Sequence, residues 1–446
     1  MAEVPRPGEH TLWDPLRIWP AARSWIWALL GVSVCILQGP VFVANLRPHK
    51  TRGVDFFQEW ASARNLLNGF PIYTPHEVSI KVYLGLDAQA SDPGLIAVNA
   101  HPPASVLLGL PVAWLDYSEA VWLWNVTSLL ALAVSLWLLI RGMGLQFSFL
   151  SIFPILTISM ISWPLRLQVL QGQLNCVLLL LVTGIWAANR AERPRLAGAL
   201  LGIATSIKLF PGFLFLHFAL VRRWRLVWAG TVSLALITLL TAAVMGLGAY
   251  QDYITKVLPY TERFLAWRDN SSIAAFWSQL FQSGANYPGS AFAASFPGDA
   301  LARACLLISD TFILVLWARY VSRSRPVRGG DGPYALSLIT MLLLCPVVWI
   351  HYFILLIFPA LRLLLAASNT RSDLQRFATF VVTATLLVGT YPLDFLLSHL
   401  GDCHPLIVTF ALFCPCYALI GVFALALTER TSIRASDTSA QRLASR

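Results

Sequence analysis

Charged residues are scarce in this chain of 446 residues, and their scarcity excludes an ordinary soluble fold. Asp, Glu, Lys and Arg make up 12% of the sequence, about half the fraction of a soluble domain, and hydrophobic residues make up 57%. The mean hydropathy is +0.66. Apolar runs of roughly 15–22 residues recur with few charges, which is the length of a transmembrane helix. We therefore predict a polytopic membrane protein.

The apolar runs also lack the strict alternation of a membrane β-strand. Backbone in lipid must satisfy its own hydrogen bonds, either in helices or in a closed barrel, so the continuous runs favour helices. The first run, residues 24–44, is too long and has no clear small-residue cleavage site at its end. These features argue against a removed signal peptide. We predict an all-α protein whose first span is this run.

Metal-binding and disulfide patterns are missing as well. The seven cysteines lie mostly within apolar runs, and the pair in Cys414-Pro415-Cys416 is too close for an ordinary disulfide. We therefore predict no metal site and no disulfide framework. The net charge of +10 comes largely from arginines in short segments between apolar runs. This pattern is typical of cytoplasmic loops rather than of a nucleic-acid-binding surface.

Those basic segments predict the topology, because short basic loops remain in the cytoplasm. Apolar residues 146–188, 196–221 and 334–367 have basic flanks on both sides, or Arg141 on one side. Each is predicted to be a hairpin that keeps both flanks inside and directs a polar apex outwards. The apices carry Arg166, Gln173, Lys208, His351 and Tyr352.

Successive membrane crossings must alternate in direction, and this requirement then assigns the remaining segments. With the N-terminus inside, residues 119–140 form one crossing, and the preceding run 102–115 is an interfacial helix because it is short and contains Pro111. The total is about twelve transmembrane helices. The predicted parts are a cytoplasmic N-terminus (1–23), a transmembrane domain (24–426) with outer loops 45–118 and 247–299, and a cytoplasmic tail (427–446).

Two carboxylates in the first outer loop are candidates for chemistry. Asp55 and Glu59 are four residues apart among aromatic residues, so a helix would place both on one face near the membrane surface. Hydrophobic neighbours would raise the pKa of such a carboxylate and suit it to act as a general base. The alternative is a pair of solvated loop carboxylates.

Several cations are predicted on the same side. Lys208 interrupts an apolar stretch, so it either binds an anionic lipid phosphate or extends its amine to the headgroups. His351 could donate a hydrogen bond to a phosphate or orient a base, although a lone histidine is more often structural. Arg166 and Arg268 are further candidates, and the alternative for both is that the side chain only extends its charged end to the lipid headgroups. A base and cations near lipid headgroups suit group transfer from a lipid-linked phosphate.

The chain resembles the polyprenyl-phosphate-dependent GT-C glycosyltransferases, and more closely family 87, which includes bacterial mannosyltransferases and arabinofuranosyltransferases. The resemblance covers about residues 53–352. The stretches that carry it are Asp55-Phe56-Phe57, Leu67-Asn68-Gly69 with Ile72-Tyr73, His101-Pro102-Pro103, Gly172-Gln173-Leu174-Asn175, Ile207-Lys208-Leu209-Phe210-Pro211 and Trp349-Ile350-His351-Tyr352.

This resemblance implies a GT-C-like bundle and an inverting transferase that acts on the outer face of the bacterial inner membrane. Asp55 would take the place of the catalytic base, and Lys208 and His351 would lie near the donor phosphate. The substrate-binding set would also include Arg166, Glu59, His101, Gln173, Arg268 and Tyr352. The usual Tyr-Pro-Pro of the first loop is His101-Pro102-Pro103 here, so the role of that position stays open.

The implied partners are membrane lipids, a polyprenyl-phosphate-linked sugar, and a glycan or glycolipid acceptor. The donor is a substrate, so no cofactor is expected. The main alternative is a lipid or solute transporter or flippase, which would place polar residues near the midplane and often show broken-helix repeats. The gathering of polar residues at one face favours the transferase. A non-enzymatic scaffold would not need Asp55, Lys208 and His351 together.

Overall fold

The computed structural model describes residues 20–47, 55–86, 98–145, 147, 149–267, 269–281, 300–324, 330–370, 372–391 and 410–428. Every regular element in these ranges is helical and none is a strand, in agreement with the predicted all-α class. Arg268, nearly all of the predicted N-terminus and tail, and parts of both predicted outer loops lie outside the described residues.

Nineteen α-helices, with short 3-10 turns and the π-helix Tyr253–Val257 between some of them, make up most of the described part of the chain. In order they are α1 (Pro20–Leu46), α2 (Phe57–Leu67), α3 (His76–Leu84), α4 (Val106–Gly109), α5 (Tyr117–Gly142), α6 (Ile152–Ile161), α7 (Trp163–Gln171), α8 (Asn175–Arg190), α9 (Pro194–Ile207), α10 (Phe213–Leu220), α11 (Trp224–Met245), α12 (Leu247–Asp252), α13 (Leu258–Thr261), α14 (Ile273–Phe281), α15 (Ala300–Arg323), α16 (Asp331–Leu343), α17 (Ile357–Asn369), α18 (Asp373–Val388) and α19 (Cys414–Thr428).

Five of the described helices are long and apolar enough to cross a membrane, which agrees with a polytopic membrane protein. They are Ser24–Leu46, Tyr117–Gly142, Trp224–Met245, Ala300–Arg323 and Ile350–Ser368. A sixth span results if α6 and α7, which meet at a bend of 68°, are counted together. The total of about twelve spans and the sides of the membrane remain predictions.

The three predicted hairpins correspond to interruptions in the helices. The first contains the bend between α6 and α7 and ends α7 at Gly172, which adopts φ +61°. The second is interrupted at Lys208, whose backbone is extended between α9 and a 3-10 turn at Phe210–Gly212. The third leaves α16 and resumes in a 3-10 helix, Ile350–Leu356. These interruptions bring polar side chains from the three hairpins towards the same region of the structure.

Helix α9, which ends at Lys208, is held by close packing against α11. A Cβ on Gly198 would lie 2.4 Å from the Leu226 carbonyl oxygen, and one on Gly202 would lie 2.6 Å from that of Gly230. Small residues four apart allow backbones to approach this closely in membrane helices, where packing rather than water exclusion drives association. The contact fixes the helix end that presents Lys208.

The first predicted outer loop folds against α2 rather than remaining open. The side-chain amide of Asn99 donates to the Gln58 carbonyl at 3.1 Å and to the Ser62 hydroxyl at 3.1 Å. Helix α4 packs so closely on α2 that a Cβ on Gly109 would lie 2.4 Å from the Glu59 carbonyl oxygen. The predicted interfacial helix at 102–115 is thus a run of short helical turns too brief to cross a membrane.

Candidate active site

A cavity of about 840 Å³ lies where the folded first loop meets the three helix interruptions. Side chains far apart in the sequence face it together. Its polar and ionisable lining consists of Asp55, Gln58, His101, Gln171, Gln173, Lys208, Tyr253, Thr261, Asp269, Cys345, His351, Tyr352 and Thr390. Six of the nine residues predicted for the site line this cavity: Asp55, His101, Gln173, Lys208, His351 and Tyr352.

Asp55 stands just before α2 and is held by the end of α7. The Phe56 amide donates to the Gln171 carbonyl at 3.0 Å, and the Gln173 side-chain amide donates to Oδ2 of Asp55. Gly172 allows this approach, because a Cβ there would lie only 2.7 Å from Cβ of Phe56. Asp55 therefore lies in the turn just before α2, which begins at Phe57.

The environment of Asp55 suits a proton acceptor. Burial is the largest influence and raises the pKa of its carboxyl, against the hydrogen bond from Gln173, which lowers it. The charges of His101 and Lys208 lower the pKa and that of Glu59 raises it. The net direction is upward, and a raised pKa makes the carboxylate a stronger base than a solvated aspartate.

Lys208 lies across Gln173 from Asp55. Its Nζ is 3.5 Å from Oε1 of Gln173, 3.3 Å from the Tyr352 hydroxyl and 4.4 Å from the centre of the Tyr352 ring. Only 4% of the residue is exposed. Burial lowers the pKa of the amine to about 8, although Glu59 and Asp55 raise it. The lysine is thus buried with polar neighbours rather than extended to a headgroup layer.

His351 and Tyr352 reach the cavity on a segment that Asn270 anchors. Both residues are buried, and within the described ranges Nε2 of His351 has no hydrogen-bond partner. The Asn270 side-chain amide donates to the Pro346 carbonyl at 3.0 Å, and its oxygen accepts from the Val348 amide at 2.9 Å. A buried imidazole nitrogen without a partner is costly, so a ligand that hydrogen-bonds to it would be favoured.

Glu59 and His101 pair beside Asp55. Nδ1 of His101 lies 2.5 Å from Oε1 of Glu59, whose side chain is 1% exposed. Glu59, which was predicted for the site, does not line the cavity, and its charge raises the pKa of Asp55.

Arg166, one of the two predicted arginines, is not part of this arrangement. Helix α7 continues through Arg166 and turns its guanidinium over the Trp163 ring, 5.7 Å from the ring centre, so Arg166 does not line the cavity. The prediction placed Arg166 at the apex of the first hairpin, where α7 continues as a helix. Arg268 lies outside the described residues.

Several residues of the site were not predicted from the sequence. Trp163, Trp267 and Trp349 contribute aromatic surface to the cavity, and Asn270 fixes its third segment. Tryptophans are common at membrane interfaces, so their sequence signal is not specific. Asn270 occurs in an Asn-Ser-Ser triplet that suggests glycosylation, whereas only 1% of it is exposed. Among the described side chains, no group of three His, Cys, Asp or Glu is placed to hold a metal ion.

Comparison with known proteins gives two matches. The model of "Glycosyltransferase family 87" matches residues 99–346, which include His101, Gln173 and Lys208 but neither Asp55 nor His351. A polyprenol-phosphate-mannose-dependent alpha-(1-2)-phosphatidylinositol mannoside mannosyltransferase of Mycobacterium tuberculosis is 24% identical over 389 residues, covering 84% of this chain and 83% of its own length. No solved structure matches the chain significantly.

Proposed function

Because this chain belongs to glycosyltransferase family 87, we propose that it transfers a sugar from a polyprenyl-phosphate donor to a lipid or glycan acceptor, with inversion, at the outer face of the bacterial inner membrane. Glycosyltransferase activity follows from the family and disfavours the transporter alternative. The mannosyltransferase relative makes mannose the first candidate for the sugar. No cofactor takes part in the proposed reaction.

One observation carries the proposal: a carboxylate and a buried ammonium face one cavity from opposite sides of the Gln173 amide. Asp55 takes the proton from the acceptor hydroxyl as that oxygen bonds to C1 of the sugar. The bond from C1 to the phosphate oxygen breaks, and the electron pair leaves with polyprenyl phosphate. Attack from the face opposite the leaving phosphate inverts the configuration at C1.

The donor phosphate is proposed to bind between Lys208, His351 and Tyr352. The ammonium offsets the charge that develops on the leaving oxygen, and it does so most effectively where water is excluded. Nε2 of His351, when it carries a proton, gains the hydrogen-bond partner that it lacks among the described residues. The Tyr352 hydroxyl keeps Lys208 in place and is itself a donor. A phosphate is a good leaving group, so no general acid is needed.

Asp55→Asn tests the proposed base. Purified protein is incubated with polyprenyl-phosphate sugars, mannose first, and release of polyprenyl phosphate is measured. Loss of a general base lowers the rate of transfer by roughly 100- to 10,000-fold, while donor binding persists. Asp252→Asn is the matched control, because Asp252 does not line the cavity and pairs with Lys256. Turnover by Asp55→Asn at the wild-type rate would contradict the assignment of Asp55.

Lys208→Ala tests the proposed phosphate site in the same assay. We expect the donor KM to rise by roughly tenfold or more while the acceptor KM changes little, since a charge-assisted hydrogen bond to phosphate contributes about 1.5–3 kcal/mol. An unchanged response to donor concentration would remove Lys208 from the phosphate site.

A further inference from the structure

The side chain of Gln173 contacts an ionisable group at each of its polar atoms. Its Nε2 donates to Oδ2 of Asp55, and its Oε1 accepts from Nζ of Lys208 at 3.5 Å. An ionised carboxylate only accepts hydrogen bonds, and an ammonium only donates them. One orientation of the amide therefore satisfies both neighbours, and neither a carboxylate nor an apolar side chain at this position would do so.

The preceding turn holds Gln173 in place. Its backbone amide donates to the Gln168 carbonyl at 3.0 Å, and the side-chain Nε2 of Gln168 donates back to the Gln173 carbonyl. Oε1 of Gln168 in turn accepts from Nδ2 of Asn175 at 3.2 Å. All three residues are buried. The amide is thus fixed by a second layer of hydrogen bonds, as a preorganised site requires.

This amide makes the two oxygens of Asp55 unequal. Oδ2 accepts the bond from Gln173, whereas no residue in the described ranges donates a hydrogen bond to Oδ1. Asp55 also lines the cavity. A hydrogen bond to a carboxylate stabilises its charged form, so the oxygen that accepts the bond is the poorer proton acceptor. The oxygen left for a proton is therefore Oδ1.

We infer that Gln173 is a positioning residue of the transfer reaction, which holds Oδ2 of Asp55 so that Oδ1 takes the proton of the acceptor hydroxyl. This inference rests on the proposed function. The same amide keeps Lys208 on the far side of Gln173 from the base, where the ammonium meets the donor phosphate instead of pairing with Asp55. The alternative is that Gln173 binds the sugar or the acceptor directly.

Gln173→Met separates these two roles in the transfer assay, because methionine has a similar length and no amide. Loss of a hydrogen bond to a charged group should lower kcat roughly 10- to 100-fold, since the carboxylate is no longer held in one orientation. The acceptor KM should change little. Direct binding of the acceptor by Gln173 would instead raise the acceptor KM.

The pH profile of kcat gives a readout that a merely structural role would not change. The bond from Gln173 lowers the pKa of the Asp55 carboxyl, so its loss should raise that pKa and move the acid limb to higher pH. The other charges that influence Asp55 are those of His101, Lys208 and Glu59. The alkaline limb should move less, because the contact of Lys208 with Oε1 is long.

Infrared absorption of the protonated carboxyl measures the same pKa without turnover. Full-length protein is titrated, and the spectrum of the corresponding Asp55→Asn protein is subtracted so that the other carboxyls cancel. The midpoint for Asp55 should lie at higher pH in Gln173→Met than in the wild type. The shift should persist in a Lys208→Met background, which distinguishes the lost hydrogen bond from a displaced lysine.

Two further variants complete the design. Gln173→Asn keeps an amide that is one methylene too short to contact both neighbours, so it should show the same shift if Gln173→Met does not fold. Gln251→Met is the control, because it makes the same chemical change at an exposed residue that does not line the cavity. It should keep the wild-type kcat and both limbs of the profile.

The outcomes separate the two proposals. If the wild type releases no polyprenyl phosphate from any pair of donor and acceptor, the proposed function fails, and the infrared midpoint alone decides whether Gln173 stabilises the charged Asp55. If transfer occurs but the Gln173 variants raise the acceptor KM and leave the acid limb and the infrared midpoint in place, Gln173 binds substrate and the inference alone is overturned.

Discussion

At the scale of single residues, two opposing ionisable groups set the chemistry of the cavity. Burial raises the pKa of Asp55 and lowers the pKa of Lys208 to about 8, so burial weakens both charges. Each charged form is then stabilised by the other group and by the Gln173 amide between them. The proposed reaction requires that Asp55 has lost its proton and that Lys208 has kept its own.

This requirement predicts a bell-shaped dependence of kcat/KM for the donor on pH. An amine with a pKa of about 8 is charged below that pH and loses its charge above it, so the rate should fall on the alkaline side from about pH 8. On the acid side the fall begins above the ordinary aspartate range, because the pKa of Asp55 is raised. Lys208→Arg should remove the alkaline limb, since guanidinium stays protonated. An identical alkaline limb in both proteins would exclude Lys208 as its source.

Asp55→Asn should also stabilise the protein at neutral pH. An acid with a raised pKa in the folded state holds its proton more tightly there, so stability declines as pH rises from about 3.8 through the folded pKa. Asparagine stays neutral throughout. The midpoint of thermal unfolding of the variant should exceed that of the wild type at pH 8, and the difference should vanish near pH 4. A difference independent of pH would have another cause.

Much of the polar lining of the cavity could be predicted from the sequence, because several of its members are polar side chains in otherwise apolar stretches. Lys208 and Gln173 stood out for that reason, and the structure places both in the cavity. Arg166 stood out equally and does not line it. The difference depends on the direction in which one helical turn points, and sequence spacing does not fix that direction when the helix boundary is unknown.

At the scale of elements, the site depends on where helices stop. Gly172 ends α7 in the left-handed region and brings Phe56, and with it Asp55, against the turn. The Trp124 indole donates to the Gly172 carbonyl at 2.7 Å and fixes the turn from the side of α5. The first predicted outer loop therefore packs against the first hairpin at this turn.

Gly172→Ala should lower activity far more than stability. A side chain in the left-handed region costs about 1–2 kcal/mol, and the added Cβ would also push against Phe56 and displace Asp55. Gly144→Ala is a matched control, because Gly144 has φ +68° and no atom of the described residues lies within 4 Å of an added Cβ. We expect both variants to lose stability in thermal unfolding, Gly172→Ala more because of the contact with Phe56, and only Gly172→Ala to lose transfer activity more than tenfold. Equal activities would show that the close approach is dispensable.

Sequence patterns predicted the interruptions themselves better than their shapes. Basic flanks indicated the three hairpins and polar residues indicated their apices, and the helices are interrupted there. The way in which the first loop packs was not predictable, because it depends on single contacts between distant segments, such as Asn99 with Ser62. Hydrophobic periodicity carries no signal for contacts of that kind.

At the scale of the whole molecule, the sides of the membrane remain a prediction from the basic segments. Cysteine labelling in a cysteine-free background tests it. Leu209 and Glu192 are exposed and lie at opposite ends of α9. An impermeant thiol reagent on intact cells should modify Leu209→Cys and should modify Glu192→Cys only after permeabilisation. Labelling with the opposite pattern would reverse the topology and place the cavity on the cytoplasmic side.

The position of Lys208 between Gln173 and Tyr352 has a consequence for the end of each catalytic cycle. In the proposed reaction, the donor phosphodiester carries one negative charge, and the released monoester carries about 1.5 to 2 at neutral pH. Just after transfer, Asp55 is protonated and does not repel this more anionic product. When Asp55 returns its proton to water, its renewed negative charge repels the phosphate that Lys208 holds. In the proposed reaction, deprotonation of Asp55 thus both restores the general base and favours release of polyprenyl phosphate.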